Sequence, residues 1–566
     1  MRKLISVCLV LVLGASPVFP QDKAAAPQEG DRIRVFTRLV QVPVTVTDGS
    51  GKLVTDLTAD DFMLSEEGKE QKIATFENVT TVNTKIGIRN LEPGLHTNRL
   101  IVDGGSRAVV VMVLDTINTP ITDQAYTKQQ MIKYLTESVQ PGTLLSIRVM
   151  SRTGVRVVTD FTTDTSLLIA ALQRAKNDPL SPTTSPDPGT SAPLPTPTQM
   201  GFIDMSSVDP MYASLQAMTM QTDPQYESFQ RGIAYLDTFS GIRGVAQSLA
   251  GIPGRKAIIW ATAGFPLEVE DTRGFSSNLY KPYFGRMIQE LNDLNVSLYP
   301  VDARGLLGNL SMRASEFFSN TRGSNVMQST SARASAGFGV GSPQISSDPM
   351  DAMRYMADLT GGIAYVNTND LATSFKRAAE DSSSYYLLGY YLTRNRGSAP
   401  EFRKVKVQVK RPGLKVRTRQ GVYVSPRPAD VQGAREADLG LAQRSQTNLT
   451  GLGLMVDWLP DPAKPQDPTK FYIQVNANDI TVTEPENLMS VEFLAVARGK
   501  DGKLIDQVAH KVEGKVKSPE DFRKQPMLYS NNLKPLPPGA VVRFIVRDNL
   551  NGRLGSVIVD TATMKK

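Results

Sequence analysis

Few side chains in this chain could carry metal or nucleophilic chemistry. Histidine occurs only at His96 and His510, and the single cysteine is Cys8. Zinc clusters, Ser-His-Asp triads and thiol nucleophiles need more of these side chains than the chain supplies. Carboxylates and hydroxyls remain, and Asp115 stands out because it ends an apolar run and precedes the hydroxyl of Thr119. From the residues alone we favour a turn-capping role for Asp115, in which its carboxylate accepts backbone N–H bonds.

Length and composition indicate several globular domains and an exported chain. The 566 residues are 40% hydrophobic and 21% charged, which excludes collagen-like, disordered and disulfide-stapled classes. A charged start, an apolar stretch and small residues within 1–20 predict a secretory signal peptide. No later run approaches the length of a membrane helix, so we expect a periplasmic or extracellular protein without a stable membrane anchor. Nucleic acid is not an expected partner of such a protein.

The middle of the chain, 105–382, has the rhythm of an α/β domain. The run 109–114 is continuously apolar, as in a parallel strand that is covered on both faces. Further strands alternate with helical stripes up to about 379, which predicts a doubly wound, Rossmann-like sheet. A proline-rich insertion, 178–225, interrupts the alternation and is expected to lie exposed on the surface.

Regions of β character flank this domain. The segments 33–100 and 384–424 alternate with the period of strands, and each is short for a sandwich. We therefore hypothesise that they pair into one sandwich, with the neighbourhoods of Val42 and Val407 in contact. The polar stretch 425–445 is interpreted as a linker, and 446–566 is predicted to form an Ig-like β-sandwich.

A strongly basic segment lies between Glu401 and Gln420, with eight basic residues against one acid. From Lys404 to Lys410 lysines and valines largely alternate, so the valines should face a core and the lysines the solvent. Pro412-Gly413 is typical of a hairpin turn. A solvated hairpin face is the favoured interpretation, and contact with a polyanion stays open as the alternative.

Several separated landmarks give the chain a family resemblance. It resembles acidobacterial-type VWFA-related proteins over most of its length, through Trp260 and the segments 60–62, 114–120, 253–256, 264–266, 295–306, 360–362 and 385–391. The resemblance implies a von Willebrand A domain with flanking β domains, in an exported protein that binds a partner.

The resemblance also implies a place for a metal. In the family's fold a divalent ion lies at the carboxyl ends of the central strands and is held by carboxylate and hydroxyl oxygens. The corresponding residues here are Asp115, Thr119 and, from a later loop, Thr238. Ile117 replaces a hydroxyl and Ala263 stands where a second carboxylate is expected, so the site is degenerate. We expect weak Mg²⁺ or Mn²⁺ binding at most, and no other cofactor.

The resulting functional expectation is a non-catalytic, exported protein-binding or scaffolding protein of the adhesion type. One alternative is an extracellular or periplasmic hydrolase that acts on a polymer, which requires convergent carboxylates in a cleft. Another alternative is a divalent-metal-dependent adhesion module, which requires measurable binding of Mg²⁺ or Mn²⁺.

Overall fold

The computed structural model describes residues 37–79, 91–92, 94–99, 108–175, 223–264, 277–305, 349–393, 401–424, 433–458, 469–483 and 486–562. The predicted signal peptide, 1–20, lies outside these residues, as does the proline-rich insertion apart from its last three positions. Within the described residues strands predominate, in four antiparallel four-stranded sheets and one mixed five-stranded sheet.

The elements follow one another in three stretches. The first contains β1 (Thr37–Thr47), β2 (Phe62–Glu66), β3 (Lys69–Gln71), β4 (Thr75–Val79) and β5 (Leu95–Thr97). The second contains β6 (Val109–Asp115), α1 (Ile121–Glu137), β7 (Leu144–Ser151), β8 (Gly154–Thr162), α2 (Thr165–Arg174), α3 (Asp223–Ser248), β9 (Lys256–Thr262), α4 (Ser277–Asp293), β10 (Val296–Asp302), α5 (Pro349–Thr360) and α6 (Leu371–Asp381). The third contains β11 (Tyr385–Thr393), β12 (Glu401–Val409), β13 (Lys415–Thr418), β14 (Gly421–Val424), α7 (Ala434–Arg444), β15 (Leu454–Asp457), β16 (Thr469–Val475), β17 (Leu488–Arg498), β18 (Leu504–Lys515), α8 (Pro519–Arg523), β19 (Met527–Leu533), β20 (Val541–Asp548) and β21 (Leu554–Asp560).

Strands from both sides of the α/β region form one N-terminal sandwich. One sheet has the order β13-β1-β11-β4 and the other β14-β12-β2-β3. Their inner faces share a single core, in which Val42 of β1 and Val407 of β12 are both buried. Each segment alone has too few strands to cover its apolar face, so the pairing removes that surface from water.

The basic segment differs from the predicted hairpin. β12 pairs with β14 and β2, whereas β13 pairs with β1 in the other sheet, so the turn at Pro412-Gly413 crosses between sheets. The alternation along β12 is as predicted, with Val405 and Val407 buried and Lys404 and Lys406 exposed. Part of the positive charge is used internally. Four arginines bind groups of the protein itself, namely Arg403 to Glu66, Arg411 to Asp56, Arg417 to Asp381 and Arg419 to backbone carbonyls of Gln41 and Asn292.

The mixed sheet has helices on both faces. Its order is β10-β9-β6-β7-β8, with the first four strands parallel and β8 antiparallel at the edge. Side chains of α3, α4 and α5 cover one face, and those of α1, α2 and α6 cover the other. Burial on both faces is the physical reason why β6, β9 and β10 are so continuously apolar.

The C-terminal sandwich corrects one predicted boundary. Its sheets have the orders β19-β16-β15-β5 and β18-β17-β20-β21 around a common apolar core. β5 was expected in the N-terminal β region, 33–100, but it pairs with β15 of this sandwich. The backbone of β15 has an open edge that β5 fills, and a pairing partner so distant in sequence leaves no local pattern.

The segment 425–445 is more than the expected linker. It contains α7, whose Asp438 is completely buried. The arginines around Asp438 come from two bodies, the α/β unit and the C-terminal sandwich. The carboxylate of Asp438 accepts hydrogen bonds from Arg243 of α3 (3.0 Å), Arg286 of α4 (2.5 Å) and Arg547 of β20 (2.9 Å). The polar stretch resembles a linker in sequence because the partners of the buried Asp438 lie far away along the chain.

A buried lysine at the start of β9 makes stability depend on pH. Lys256 is 3% exposed, its Nζ donates to the carbonyl of Ile252, and burial lowers its pKa to about 7 from 10.5. Below pH 7 the folded protein must bury an ammonium, whereas between 7 and 10.5 it holds fewer protons than the unfolded chain. Stability from this group therefore rises with pH across that window.

We expect Lys256→Met to raise the free energy of unfolding by a few kcal/mol, on the order of the folded-state pKa depression, below pH 7. The gain should shrink steadily towards pH 10. Urea unfolding at several pH values measures it, with the exposed Lys133→Met as the matched control. A gain that is the same at pH 6 and pH 10 would contradict the assignment.

Candidate strand-end site

The candidate site lies where β6 ends, and Asp115 is its centre. Asp115 is the last residue of β6 and is 0% exposed. Its Oδ1 accepts the backbone N–H groups of Ile117 (2.9 Å) and Asn118 (3.1 Å), which fixes the turn that leads towards α1. This is the capping role that the residue types favoured.

The second oxygen of Asp115 binds three side chains. Its Oδ2 accepts from the Asn118 amide (2.8 Å), the Trp260 indole N–H (3.1 Å) and the Thr262 hydroxyl (2.8 Å). Trp260 and Thr262 belong to β9, the parallel neighbour of β6. Because parallel strands end at the same edge of a sheet, β9 delivers these donors to the end of β6. The carboxylate thereby ties two central strands and the following turn together.

The structure brings the other two predicted residues to the same place. The Asn118 amide also donates to the hydroxyl of Thr238 (2.9 Å), which in turn donates to the carbonyl of Ala234 within α3. Thr119 accepts the backbone N–H of Ala263 at the end of β9 (3.0 Å). Both threonines are 0% exposed, so both hydroxyls serve the packing of neighbouring elements.

Burial and hydrogen bonding shift the pKa of Asp115 in opposite directions. Burial raises its pKa, while hydrogen bonds from Asn118, Thr262 and Ile117 lower it. Of the five donor groups around the carboxylate, four are N–H groups, which can only donate, so the arrangement suits an acceptor at every position. A carboxylate offers about four lone-pair positions, and five donors already use them.

A metal role is poorly served by this geometry. A hard divalent cation needs free oxygen lone pairs, and the donors around Asp115 occupy them. No group of three or more His, Cys, Asp or Glu side chains with metal-binding geometry occurs in the described part of the chain. Neutral N–H and O–H donors thus occupy the carboxylate oxygens that a cation would need as ligands.

The neighbouring strand end carries a second buried acid, Asp302, which ends β10. Its carboxylate forms a two-pronged pair with Arg304, with both N···O distances at 2.9 Å. The Asp302 side chain is 0% exposed and that of Arg304 is 6% exposed. The guanidinium neutralises this acid, so Asp302 is committed to Arg304 rather than open to a ligand.

Sequence reasoning missed the donors on β9. Trp260 was visible only as a landmark of the resemblance, and Thr262 was not singled out as a donor. Their register beside β6 is set by the pairing of Leu114 with Ala261. Once β9 is known to lie beside β6, the position of both residues near the end of β9 indicates that they can reach the end of β6. Asn118 contributes through its amide N–H₂, which donates to Asp115 and Thr238.

A second carboxylate with a displaced pKa lies elsewhere, at the junction with α7. Asp237 of α3 is 9% exposed, and burial raises its pKa to about 7 against the opposing charges of Arg152 and Arg444. It lines a cavity of about 20 Å³ between α3, the β7–β8 turn and α7. The described residues lining that cavity include no second acid, so it lacks the carboxylate pair that the hydrolase alternative requires.

The described residues define a β-rich, multidomain protein with a mixed α/β unit and a hydrogen-bonded strand-end cluster. None of the described helices is long and apolar enough to cross a bilayer. Comparison with known protein families and with curated proteins gives no match.

Two solved structures show weak similarity. Bacteroides uniformis β-glucuronidase matches at 10% identity and a TM-score of 0.14, over 31% of this chain and 19% of that chain. The endonuclease/exonuclease/phosphatase from Beutenbergia cavernae DSM 12333 matches at 10% identity and a TM-score of 0.12, over 32% of this chain and 38% of that chain. The chain spans less than two fifths of either protein, and TM-scores this low carry no argument about fold or activity.

Proposed function

We propose that this chain is a non-catalytic, exported binding or scaffolding protein whose von Willebrand A-type unit presents its strand end to a protein partner without a metal. The observation that carries the proposal is the set of five donors around the buried carboxylate of Asp115. These bonds give the strand end its shape from the protein alone. Contact with the partner would then depend on the surrounding exposed residues.

Two features support a binding role over the alternatives. The acids at the strand ends, Asp115 and Asp302, are buried and fully engaged with protein donors, so neither is poised to receive a substrate proton. Exposed apolar surface beside them, at Ile121 (44% exposed), is suited to protein contact. A rigid scaffold with engaged polar groups is suited to recognition by shape.

Calorimetry tests metal independence. We expect titration of the intact protein with Mg²⁺ or Mn²⁺ to release no binding heat and to leave its melting temperature unchanged. The physical reason is that a cation must displace N–H donors from Asp115 before it finds a free oxygen. Saturable binding, or a melting temperature that rises with Mg²⁺, would instead support the metal-dependent adhesion module.

Site-specific photocrosslinking in the native cells tests the binding surface. A photoreactive residue at Ile121, beside the strand end, should give a discrete adduct with one protein, and chelation of divalent ions should not reduce its yield. Exposed Glu137, at the opposite end of α1, is the matched control position. Equal adducts at both positions, or loss of the Ile121 adduct on chelation, would contradict the proposal.

A further inference from the structure

The C-terminal sandwich contains a binding feature that the proposed function does not use. Its β15 edge is filled by a segment that lies more than 350 residues away in sequence. Three residue pairs join the strands, with Leu95, His96 and Thr97 opposite Asp457, Val456 and Met455. The contact is therefore that of an extended peptide added to the edge of a sheet.

Main-chain and side-chain contacts run the length of this segment. The backbone N–H of Trp458 donates to the carbonyl of Gly94 (2.9 Å), and the hydroxyl of Thr97 donates to the carbonyl of Leu454 (2.7 Å). Beyond the strand, Arg99 forms an ion pair with Asp479 (3.3 Å). The main-chain bond gives affinity to any extended chain, whereas the contacts of the Thr97 hydroxyl and the Arg99 guanidinium depend on those side chains.

Asn98 supplies the selectivity. It is 5% exposed, and its side-chain N–H₂ donates to the carbonyls of Leu449 (2.6 Å) and Leu452 (2.7 Å). Its side-chain oxygen accepts the backbone N–H of Leu454 (2.8 Å). The carbonyls of Leu449 and Leu452 need hydrogen-bond donors, and the N–H of Leu454 needs an acceptor. A side-chain amide of the length of asparagine supplies both. An aspartate would offer no donors. An alanine would remove the acceptor of the Leu454 N–H and one donor from each carbonyl, and the Leu449 carbonyl would keep only the N–H of Ser556.

The sandwich also makes room for the residue that follows. A side chain at Gly453 would place its Cβ 2.2 Å from the Arg99 guanidinium, so glycine allows the segment to lie close against the loop. The backbone N–H of Gly453 donates to Asp479 (2.8 Å), which holds that acid where Arg99 meets it. The loop is thus shaped around Asn98 and Arg99 together.

We propose that the β15 edge of the C-terminal sandwich is a recognition site for an extended peptide bearing a Thr-Asn pair, and that residues 94–99 are its built-in ligand. A ligand in the same chain competes as an intramolecular group, so a free peptide at micromolar concentration does not displace it while its own contacts are intact. The site is therefore self-occupied in the intact chain. Weakening the tethered ligand opens it to a ligand from solution.

The test uses the full chain and a fluorescent peptide with the sequence of residues 92–99. We expect the Asn98→Ala chain to bind this peptide about tenfold or more tightly than the wild-type chain does, as measured by fluorescence anisotropy. The same peptide carrying Asn98→Ala should not bind. A chain with Asn532→Ala, an exposed asparagine on the opposite edge strand β19, is the matched control and should behave as wild type.

A thermal readout covers the case in which Asn98→Ala destabilises the sandwich. The wild-type peptide should then raise the melting temperature of the Asn98→Ala chain in a saturable way, and the substituted peptide should leave it unchanged. Absence of both peptide uptake and thermal rescue would overturn the proposal. Equal binding of both peptides would also overturn it, because the Asn98 contacts would then not be what the site recognises.

Discussion

Replacing Asp438 with asparagine should lower the free energy of unfolding by about 3 to 5 kcal/mol. The α/β unit and the C-terminal sandwich, which lie on either side of α7, should then unfold in two separate transitions. The carboxylate is completely buried and binds Arg243, Arg286 and Arg547. Asparagine keeps the shape but not the charge, and its N–H₂ group faces guanidinium donors. Only Glu290 then remains to balance Arg243 and Arg286. Arg547 loses its acidic partner and keeps the hydrogen bond to Asn549.

The two tryptophans make the separation measurable. The sequence has only two, Trp260 in β9 and Trp458 next to β15, so each body carries one probe. Biosynthetic 5-fluorotryptophan gives one ¹⁹F resonance for each body during a urea titration. In the wild-type protein both resonances should report one transition, and in Asp438→Asn two.

The matched control lies on the same helix. Glu436→Gln changes an acid whose side chain is 69% exposed and whose ion pair, with Arg435, is a surface contact. Such a pair contributes at most about 1 kcal/mol, so the control should unfold as the wild type does. Should both variants unfold at the same urea midpoint, Asp438 would not be the junction that holds the bodies together.

Replacing Asp115 with alanine should cost about 3 kcal/mol or more, with no dependence on divalent cations. The substitution removes the carboxylate that accepts from the Trp260 indole N–H and the Thr262 hydroxyl, and it opens a gap between β6 and β9. The Asn118 amide keeps only its bond to the Thr238 hydroxyl. Unfolding followed by denaturant, with and without Mg²⁺, measures the loss. Trp260 fluorescence should change at the same time because the indole loses its hydrogen bond.

Asp123→Asn is the control for this measurement. Asp123 lies in the first turn of α1, near the same strand end, but the hydrogen bond to its carboxylate comes from the neighbouring Thr122 at 3.4 Å. We expect a change of less than about 1 kcal/mol. If Mg²⁺ stabilises the wild-type protein and so enlarges its difference in unfolding free energy from Asp115→Ala, the carboxylate binds a cation after all.

The positions of the strands were accessible from the sequence because burial on two faces leaves a continuous apolar run. The runs at 109–114 and 296–301 appear as strands of the mixed sheet. Asp115 was likewise accessible, since an acid directly after such a run is placed to cap the turn that follows. The donors on Oδ2 were not, because Trp260 and Thr262 reach it only through the order in which β6 and β9 lie side by side.

Long-range partners account for what the sequence left open. β5 reads as part of the segment that precedes it, yet its hydrogen-bonding partners are in β15. In the same way α7 reads as a polar linker, and only the meeting of Arg243, Arg286 and Arg547 makes its Asp438 a buried junction. Local patterns record which face of an element is apolar, and they do not record which distant element covers it.

The sequence by itself determined the alternation of strands and helices, the shortage of histidine and cysteine chemistry, and the inward and outward faces of β12. Tertiary structure decided that five donors surround Asp115, that β5 completes the C-terminal sandwich, and that α7 joins two bodies. The physical reason is that hydrophobic periodicity acts over a few residues. Hydrogen bonds and ion pairs at a buried site depend instead on which groups folding places within about 3 Å of one another.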